Sequence, residues 1–279
     1  MEQARGFFRE IIKLIKKPEM RILPGQLAFF LVMSIIPTIA LVGVIANQLS
    51  IPLDTIKITI SNSIPKEISK FITDILVGQG FNFNIAVFFI SAFILASNGP
   101  HSMIITSNEI YKIKPETVIK RRLKAIWMTF ILVGLFLFLF IVPVCGDSIF
   151  AVIRYYVKDQ TPINIIHQVY QLLKYPITIL VLYFNIKLIY IISPDEKIKS
   201  VSTRKGAMFT TIGWVIATEI FSFYIGTFAS YDIFYGSISN LLVILLWVYI
   251  LSYIFVLGMA LNAGNYNHQK LEERLKTYE

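Results

Sequence analysis

The stretch that decides the fold is Phe130-Ile131-Leu132-Val133-Gly134-Leu135-Phe136-Leu137-Phe138-Leu139-Phe140. It contains no charge and no hydrogen-bonding side chain. In water such a helix would have to be covered on every side, whereas a bilayer solvates it as it stands. Extended to about Ala125–Val144, it reaches the roughly 20 apolar residues that cross a membrane.

Five more stretches of this kind lie on either side of it. They run over about Leu23–Asn47, Ile85–Ile105, Leu172–Ile192, Ala207–Ala229 and Ile238–Asn262. The expected fold class is therefore all-α: a polytopic membrane protein with six transmembrane helices plus amphipathic interfacial helices. Pro24, Pro37, Gly99, Pro100, Pro143, Pro176 and Gly213 fall inside the spans. Membrane helices tolerate them when neighbours satisfy the freed backbone groups. A cleaved signal peptide is a poor account of the first stretch, which is too long and is followed by five others. No internal repeat is visible.

Composition agrees. Of 279 residues, 56% are hydrophobic and 15% charged, and the mean hydropathy is +0.67. Soluble domains carry about 25% charge and about 45–50% apolar residues. This composition argues against an ordinary soluble enzyme and excludes a disordered chain. The single Cys145 allows neither an internal disulfide nor a cysteine-based zinc site.

The net charge of +9 follows the topology. Arg5, Arg9, Lys13, Lys16, Lys17 and Arg21 precede the first span. Lys112, Lys114, Lys120, Arg121, Arg122 and Lys124 follow the second. Lys197, Lys199, Arg204 and Lys205 follow the fourth, and Lys270, Arg274 and Lys276 the sixth. Nineteen basic residues thus fall on one side and five on the other, namely Lys57, Lys66, Lys70, Arg154 and Lys158. Positive charge is retained in the cytoplasm, so six spans with both termini cytoplasmic are expected, in a bacterial cytoplasmic membrane. The expected partners are membrane lipids, with anionic headgroups at the basic inner face. No nucleic acid is expected, because no loop is long enough to be a folded RNA-binding module.

The expected organisation is a basic amphipathic helix over 1–22, a six-helix membrane domain over 23–262 and a cytoplasmic tail over 263–279. In the first, Phe7, Phe8, Ile11, Ile12 and Ile15 recur at helical spacing between basic residues. Two outer loops repeat the pattern with Ile64, Ile68, Phe71, Ile72 and Ile75, and with Ile165, Ile166, Val169, Leu172 and Leu173. Interfacial packing explains all three; the two outer ones would also fit a cover over a cavity mouth. The aromatics from Phe221 to Tyr235 suit the membrane–water boundary.

Ionisable groups inside a span are costly and need a partner or a purpose. Glu219 lies about 18 Å along the fifth span, near mid-membrane. Lys187 lies in the fourth, about 9 Å from it in height. It can snorkel to the inner headgroups or reach toward Glu219. Glu219 reads either as a protonated structural acid or as a proton, cation or ligand site. In the second span, Ser97-Asn98-Gly99-Pro100-His101-Ser102 predicts a kinked or broken helix, since Pro100 removes a donor. Asn98 and His101 then offer polar groups beside freed carbonyls, as ligand sites in transporters do; a plain kink is the alternative. Gln26, Asn185, Asn240 and Asn262 can be interhelical glue. Trp247 and Tyr249 read as packing, and Gly236-Ser237 as a turn and N-cap. Gly213 and Ala217 have small-xxx-small spacing. A homo-oligomer is compatible with that spacing, which would equally serve contacts within one subunit.

Catalytic signals are missing. His101, His167 and His268 fall at three different depths, and no H-E-x-x-H, P-loop or G-x-S-x-G pattern occurs. The inner-loop acids Glu109, Glu116, Asp195 and Glu196 are mixed among lysines and read as solvated. No metal, cofactor or enzymatic activity is expected.

The chain resembles the YihY/BrkB family of membrane proteins, a group that has also carried the name ribonuclease BN. The resemblance rests on Gln26-Leu27-Ala28-Phe29-Phe30 with Pro37, Ser97 with Gly99, Asn108, Tyr111 and Arg121-Arg122. It continues through Tyr175-Pro176, Tyr190, Pro194, Lys205-Gly206-Ala207 and Trp214. Its most specific block is Tyr231, Tyr235-Gly236-Ser237, Trp247-Val248-Tyr249, Gly258 and Leu261-Asn262-Ala263. It spans about Arg21 to Ala263. Family members often have a glutamate where this chain has Ala260. The resemblance implies a six-helix cytoplasmic-membrane protein and suggests transport or envelope-lipid handling. The expected function is handling of a small solute or lipid through a polar intramembrane site built from Glu219, Lys187, Asn98, His101, Gln26 and Asn185. The rival expectation is a non-transporting scaffold for envelope assembly; a ribonuclease lacks its ligand cluster.

Overall fold

The computed structural model describes residues 2–48, 85–134, 161–228 and 239–277. Among them every regular element is α-helix. The helices are α1 (Glu2–Ile15), α2 (Glu19–Gln48), α3 (Ile85–Ala96), α4 (Asn98–Tyr111), α5 (118–134), α6 (Thr161–Ile192), α7 (Arg204–Phe228) and α8 (Ser239–Thr277).

Helix α1 turns Leu14 and part of Ile11 inward, leaves Ile12 and Ile15 exposed, and packs against α8. Pro18 cannot continue the ladder. Instead the Lys17 N–H bonds back to Leu14 O at 3.0 Å, and α2 starts anew at Glu19.

Helix α8 is the axis of the bundle. It touches α1, α2, α4 and α7, and every residue from Phe255 to Ala263 is buried. A helix encircled over that length has to be apolar all round, and this stretch is, save for Asn262. Around it Leu27, Met103, Ile104, Met128, Ile186 and Tyr190 close the main core. A second cluster, Ala28, Phe221, Val243, Ile244 and Val248, fills the other half.

Three described helices are long and apolar enough to cross a membrane, over Tyr175–Ile192, Arg204–Ile225 and Leu241–Gly264. They coincide with the fourth, fifth and sixth expected spans. Only 22%, 22% and 44% of these windows is buried inside the protein. The remainder needs an apolar solvent, since soluble monomers rarely expose large contiguous apolar patches. Leu172, Tyr175, Trp127 and Ile119 are each at least 69% exposed, as lipid-facing residues are.

One expectation is revised. The second outer-loop segment is not a separate interfacial helix: Thr161–Ile192 is one continuous helix that runs through Pro176. A proline costs a helix one bond and a local clash, and apolar residues on both sides keep this one helical. Helix α8 continues through most of the expected tail, to Thr277. The first outer loop, and Tyr235, Gly236 and Ser237, lie outside the described residues.

One end of the bundle is tied together by side chains. Lys112, just after α4, donates to Glu19 at the start of α2. Lys124 of α5 pairs with Asp195 in the α6–α7 turn at 3.0 Å. Tyr266 of α8 donates to Glu196 in the same turn at 2.7 Å.

Candidate functional site

The second expected span is kinked where its sequence predicts, although Ser97 stays in the αR region and the ladder runs on through it, from Ser97 N–H to Phe93 O and from His101 N–H to Ser97 O, both at 3.0 Å. Ser97 separates α3 from α4. Pro100 offers no N–H to Ala96 O, and the Gly99 N–H turns away to donate to Ser34 Oγ of α2 at 2.7 Å. Ser34 in turn donates to Phe30 O at 2.7 Å. On the other flank Ser97 Oγ and Arg122 Nη2 both donate to Ile94 O, at 2.7 and 2.9 Å. Arg122 Nη1 donates to Asn98 Oδ1 at 2.9 Å. Two neighbouring helices thus supply partners at the kink, Ser34 to the Gly99 N–H and Arg122 to Asn98 Oδ1 and Ile94 O.

Below the kink α4 carries a seam of buried polar groups. Ser102, Thr106, Ser107 and Tyr111 are at most 2% exposed. None of their hydroxyls has a hydrogen-bond partner among the described residues, nor does His101 Nε2. From His101 to Tyr111 the seam is about 15 Å long. Buried polar atoms are normally paired, so a run of unpaired ones marks a place where water or a polar ligand is needed. Ser252 of α8 and Asn185 of α6 carry orphaned polar atoms as well.

The seam ends at a latch. Asn108 Nδ2 donates to Asp195 Oδ2 at 2.6 Å, and the Asp195 N–H donates back to Asn108 Oδ1 at 3.0 Å. Glu116 N–H reaches the same carboxylate at 3.1 Å. Lys124 Nζ donates to Asp195 Oδ1 and to the carbonyls of Ser193 and Pro194, at 3.0, 3.0 and 2.6 Å. Burial pushes the Asp195 carboxyl up, but the Glu116 N–H, Lys124 and Asn108 outweigh it and hold it below the usual carboxylate range. Asp195 is not a solvated loop acid: its side chain is 3% exposed.

The αL residue Lys112 (φ 56°) caps α4, its N–H facing Asn108 O and Glu109 O. The Lys112 hydrogen bond holds the Glu19 carboxyl below its ordinary range. Lys17, Glu19, Met20, Ile110, Lys112, Ala260, Ala263 and Gly264 line a cleft of about 90 Å³ there. Ala260 is among the residues that line this cleft.

Helices α7 and α8 are joined more tightly than sequence could show. Gly206 N–H donates to Asn262 Oδ1 at 2.7 Å. Tyr190 OH donates to Phe255 O at 2.7 Å and meets Thr210 Oγ1 at 2.7 Å. A methyl group at Gly206 would strike Gly258 O, and one at Gly258 would strike Thr210 Oγ1. Trp214 Nε1 donates to Leu251 O at 2.9 Å, and Trp247 Nε1 to Thr218 Oγ1 at 3.4 Å.

The expected site residues therefore separate. Asn98 and His101 sit at the kink, both half-buried. Asn262 is fully buried, with Nδ2 unpartnered among the described residues. Gln26 and Lys187 are half-buried on α2 and α6. Glu219 is exposed on α7, among Ile216, Ile220 and Phe223, which are also exposed. The Tyr190–Thr210 contact sets Lys187 opposite about Gly213, some 9 Å short of Glu219. No hydrogen bond or ion pair joins the two among the described residues. No three His, Cys, Asp or Glu side chains among the described residues come together as a metal site would need.

Among the described residues, an all-helical bundle with apolar exposed faces, three helices of spanning length and a kinked helix inside defines a helical membrane protein. The family described as Virulence factor BrkB matches residues 12–277, and the chain belongs to this family, the YihY/BrkB membrane proteins. It is 27% identical to the ribonuclease-like protein YfkH of Bacillus subtilis over 272 residues, 96% of this chain and 98% of the relative. It is 33% identical over 79 residues to a UPF0761 membrane protein of Haemophilus influenzae, covering 28% of this chain and 29% of that one. A UPF0761 membrane protein of Histophilus somni is 27% identical over 101 residues, 33% and 35% of the two chains. No solved structure matches.

Proposed function

We propose that the chain handles a small polar or amphipathic solute along the seam of α4, within a six-span bundle whose termini are both cytoplasmic. The observation that carries this reading is the run of buried, unpartnered hydroxyls from Ser102 to Tyr111 directly below a helix kink. An interior this polar is expensive unless something wet passes or binds there. Six spans are supported by the 30-residue α2, which carries no charge after Arg21, and by the collection of basic segments at one end of the bundle.

The test uses Ser102→Cys, Thr106→Cys and Ser107→Cys, each in a Cys145→Ser background, in sealed membrane vesicles. A charged methanethiosulfonate reagent is expected to modify position 102 or 106 but not a cysteine at lipid-facing Leu95. Inert cysteines at all three seam positions would remove the reading.

A second reading, a scaffold that seats another membrane chain, draws on the exposed face of α7. There Met208, Ile212, Ile216 and Ile220 form a stripe interrupted only by Glu219. It predicts co-purification of a partner that Glu219→Leu releases.

A further inference from the structure

We propose that the α3–α4 kink and the start of α5 form a binding site for the phosphate of an anionic phospholipid, with Arg121 and Arg122 as its ligands. This deepens the reading of the seam by naming the amphiphile that meets it, yet either can fail without the other.

The argument begins with the basic run 120–124. Lys120 is paired with Glu116 at 3.1 Å, and Lys124 with Asp195 at 3.0 Å. Arg121 and Arg122 have no acidic partner among the described residues. Two neutralised lysines thus flank two uncompensated guanidinium groups. Such groups are weakly hydrated, planar donors whose fork matches a phosphate.

Both are aimed rather than loose. Arg122 spends two of its five N–H donors on Asn98 Oδ1 and Ile94 O, which fixes it against the kink and leaves three. Arg121 Nε is buried and has no acceptor among the described residues. A buried N–H on a charged group calls for one. His101 Nε2, also shielded and unpartnered, lies within the field of both arginines. Arg122 is thus joined to Asn98 at the kink, and both guanidinium charges are felt at His101.

The surroundings select a lipid over a free ion. Ile94, Leu95, Ile119, Leu123 and Trp127 are between 46% and 74% exposed, on α3 and on α5, the two helices that Arg122 joins. They form an apolar lane along which acyl chains lie while the headgroup meets the guanidinium pair.

The test is native mass spectrometry of the detergent-purified full chain, titrated with phosphatidylglycerol, with phosphatidylcholine, and with inorganic phosphate as competitor. Phosphatidylglycerol is expected to bind about tenfold more tightly than phosphatidylcholine. Arg121→Gln is expected to lower its affinity about tenfold, while Lys120→Gln, with the same change in net charge, leaves it unaltered. Arg121→Lys keeps the charge but not the fork and is expected to lose about threefold; it serves where the glutamine variant does not fold. Equal binding of the two lipids overturns the proposal, and so does an unchanged affinity in both Arg121 variants. Displacement of phosphatidylglycerol by millimolar inorganic phosphate reassigns the site to the free ion and overturns the lipid. Because lipid retention and cysteine accessibility are separate readings, loss of one leaves the other standing.

Discussion

Gly258→Ala is expected to loosen the bundle at its axis. The new methyl group would lie 2.7 Å from the Tyr190 hydroxyl and 2.8 Å from Gly206 O, and closer still to Thr210 Oγ1. Ordinary contact begins at 3.4 Å, so α7 and α8 must part by about 0.6 Å or more. Neither hydroxyl can yield freely, because each is held by the 2.7 Å Tyr190–Thr210 bond, and Tyr190 also by Phe255 O. Overpacking of a dense core costs about 1–3 kcal/mol. The loss of one or two buried hydrogen bonds adds about 1 kcal/mol each. A total of about 2–5 kcal/mol corresponds to a melting point lower by about 4–20 °C in a chain of this size. The assay is thermal unfolding of the purified chain followed by tryptophan fluorescence, since Trp214 sits in the joint, bonded to Leu251 O and tilted 6.1 Å from Phe255. Gly6→Ala is the control, as its methyl meets nothing within 4 Å. A Gly258→Ala protein that melts with the wild type would refute the close approach of the two helices.

Tyr190→Phe should cost about 1–3 kcal/mol by the same assay, because a fully buried hydroxyl with two short bonds is deleted and its partners are stranded; an unchanged melt would show that the bonds contribute nothing. Asp195→Asn should cost about 2–3 kcal/mol, less than a fully buried pair because Lys124 stays 29% exposed, and proteolysis in the 193–203 turn should rise with it. With its carboxyl held below the ordinary range, Asp195 contributes stability that is present above the unfolded-state value and is lost as pH falls through the folded-state value. The latch should therefore hold unchanged from pH 8 to pH 5, and a transition inside that window that Asp195→Asn abolishes would contradict it. Glu219→Leu should leave the isolated protein as stable as before or more so, since no described residue pairs with the carboxylate; a drop beyond about 2 kcal/mol would mean that it has an internal partner.

What the sequence made legible is what depends on a single residue or a single period. Pro100 cannot donate, so the kink at Ser97 could be read without knowing what surrounds it. The 3.6-residue pattern of Phe7 to Ile15 fixed α1, and unbroken apolar length fixed α6, α7 and α8. Asp195 was unreadable for the opposite reason. Its environment is made by Asn108 and Lys124, 87 and 71 positions away in the chain, and a carboxylate among lysines looks the same whether solvated or sealed. Glu219 shows the same gap. Depth along a helix follows from counting residues, but which way the side chain faces depends on neighbours, and those turn it outward. Gly206 and Gly258 could be suspected as small residues, yet only the meeting of their backbones shows why each is small.

Two helices whose main chains touch, as α7 and α8 do at Gly206 and Gly258, can turn as one body but cannot slide past each other. On the opposite flank α4 packs against α2 through Leu27, Met103 and Ile104, with the Gly99–Ser34 bond added, and Arg122 ties its start to α5. A headgroup drawing Arg122 toward itself would then pull on the start of α4 directly, and occupancy and movement would become one event rather than two linked across a distance.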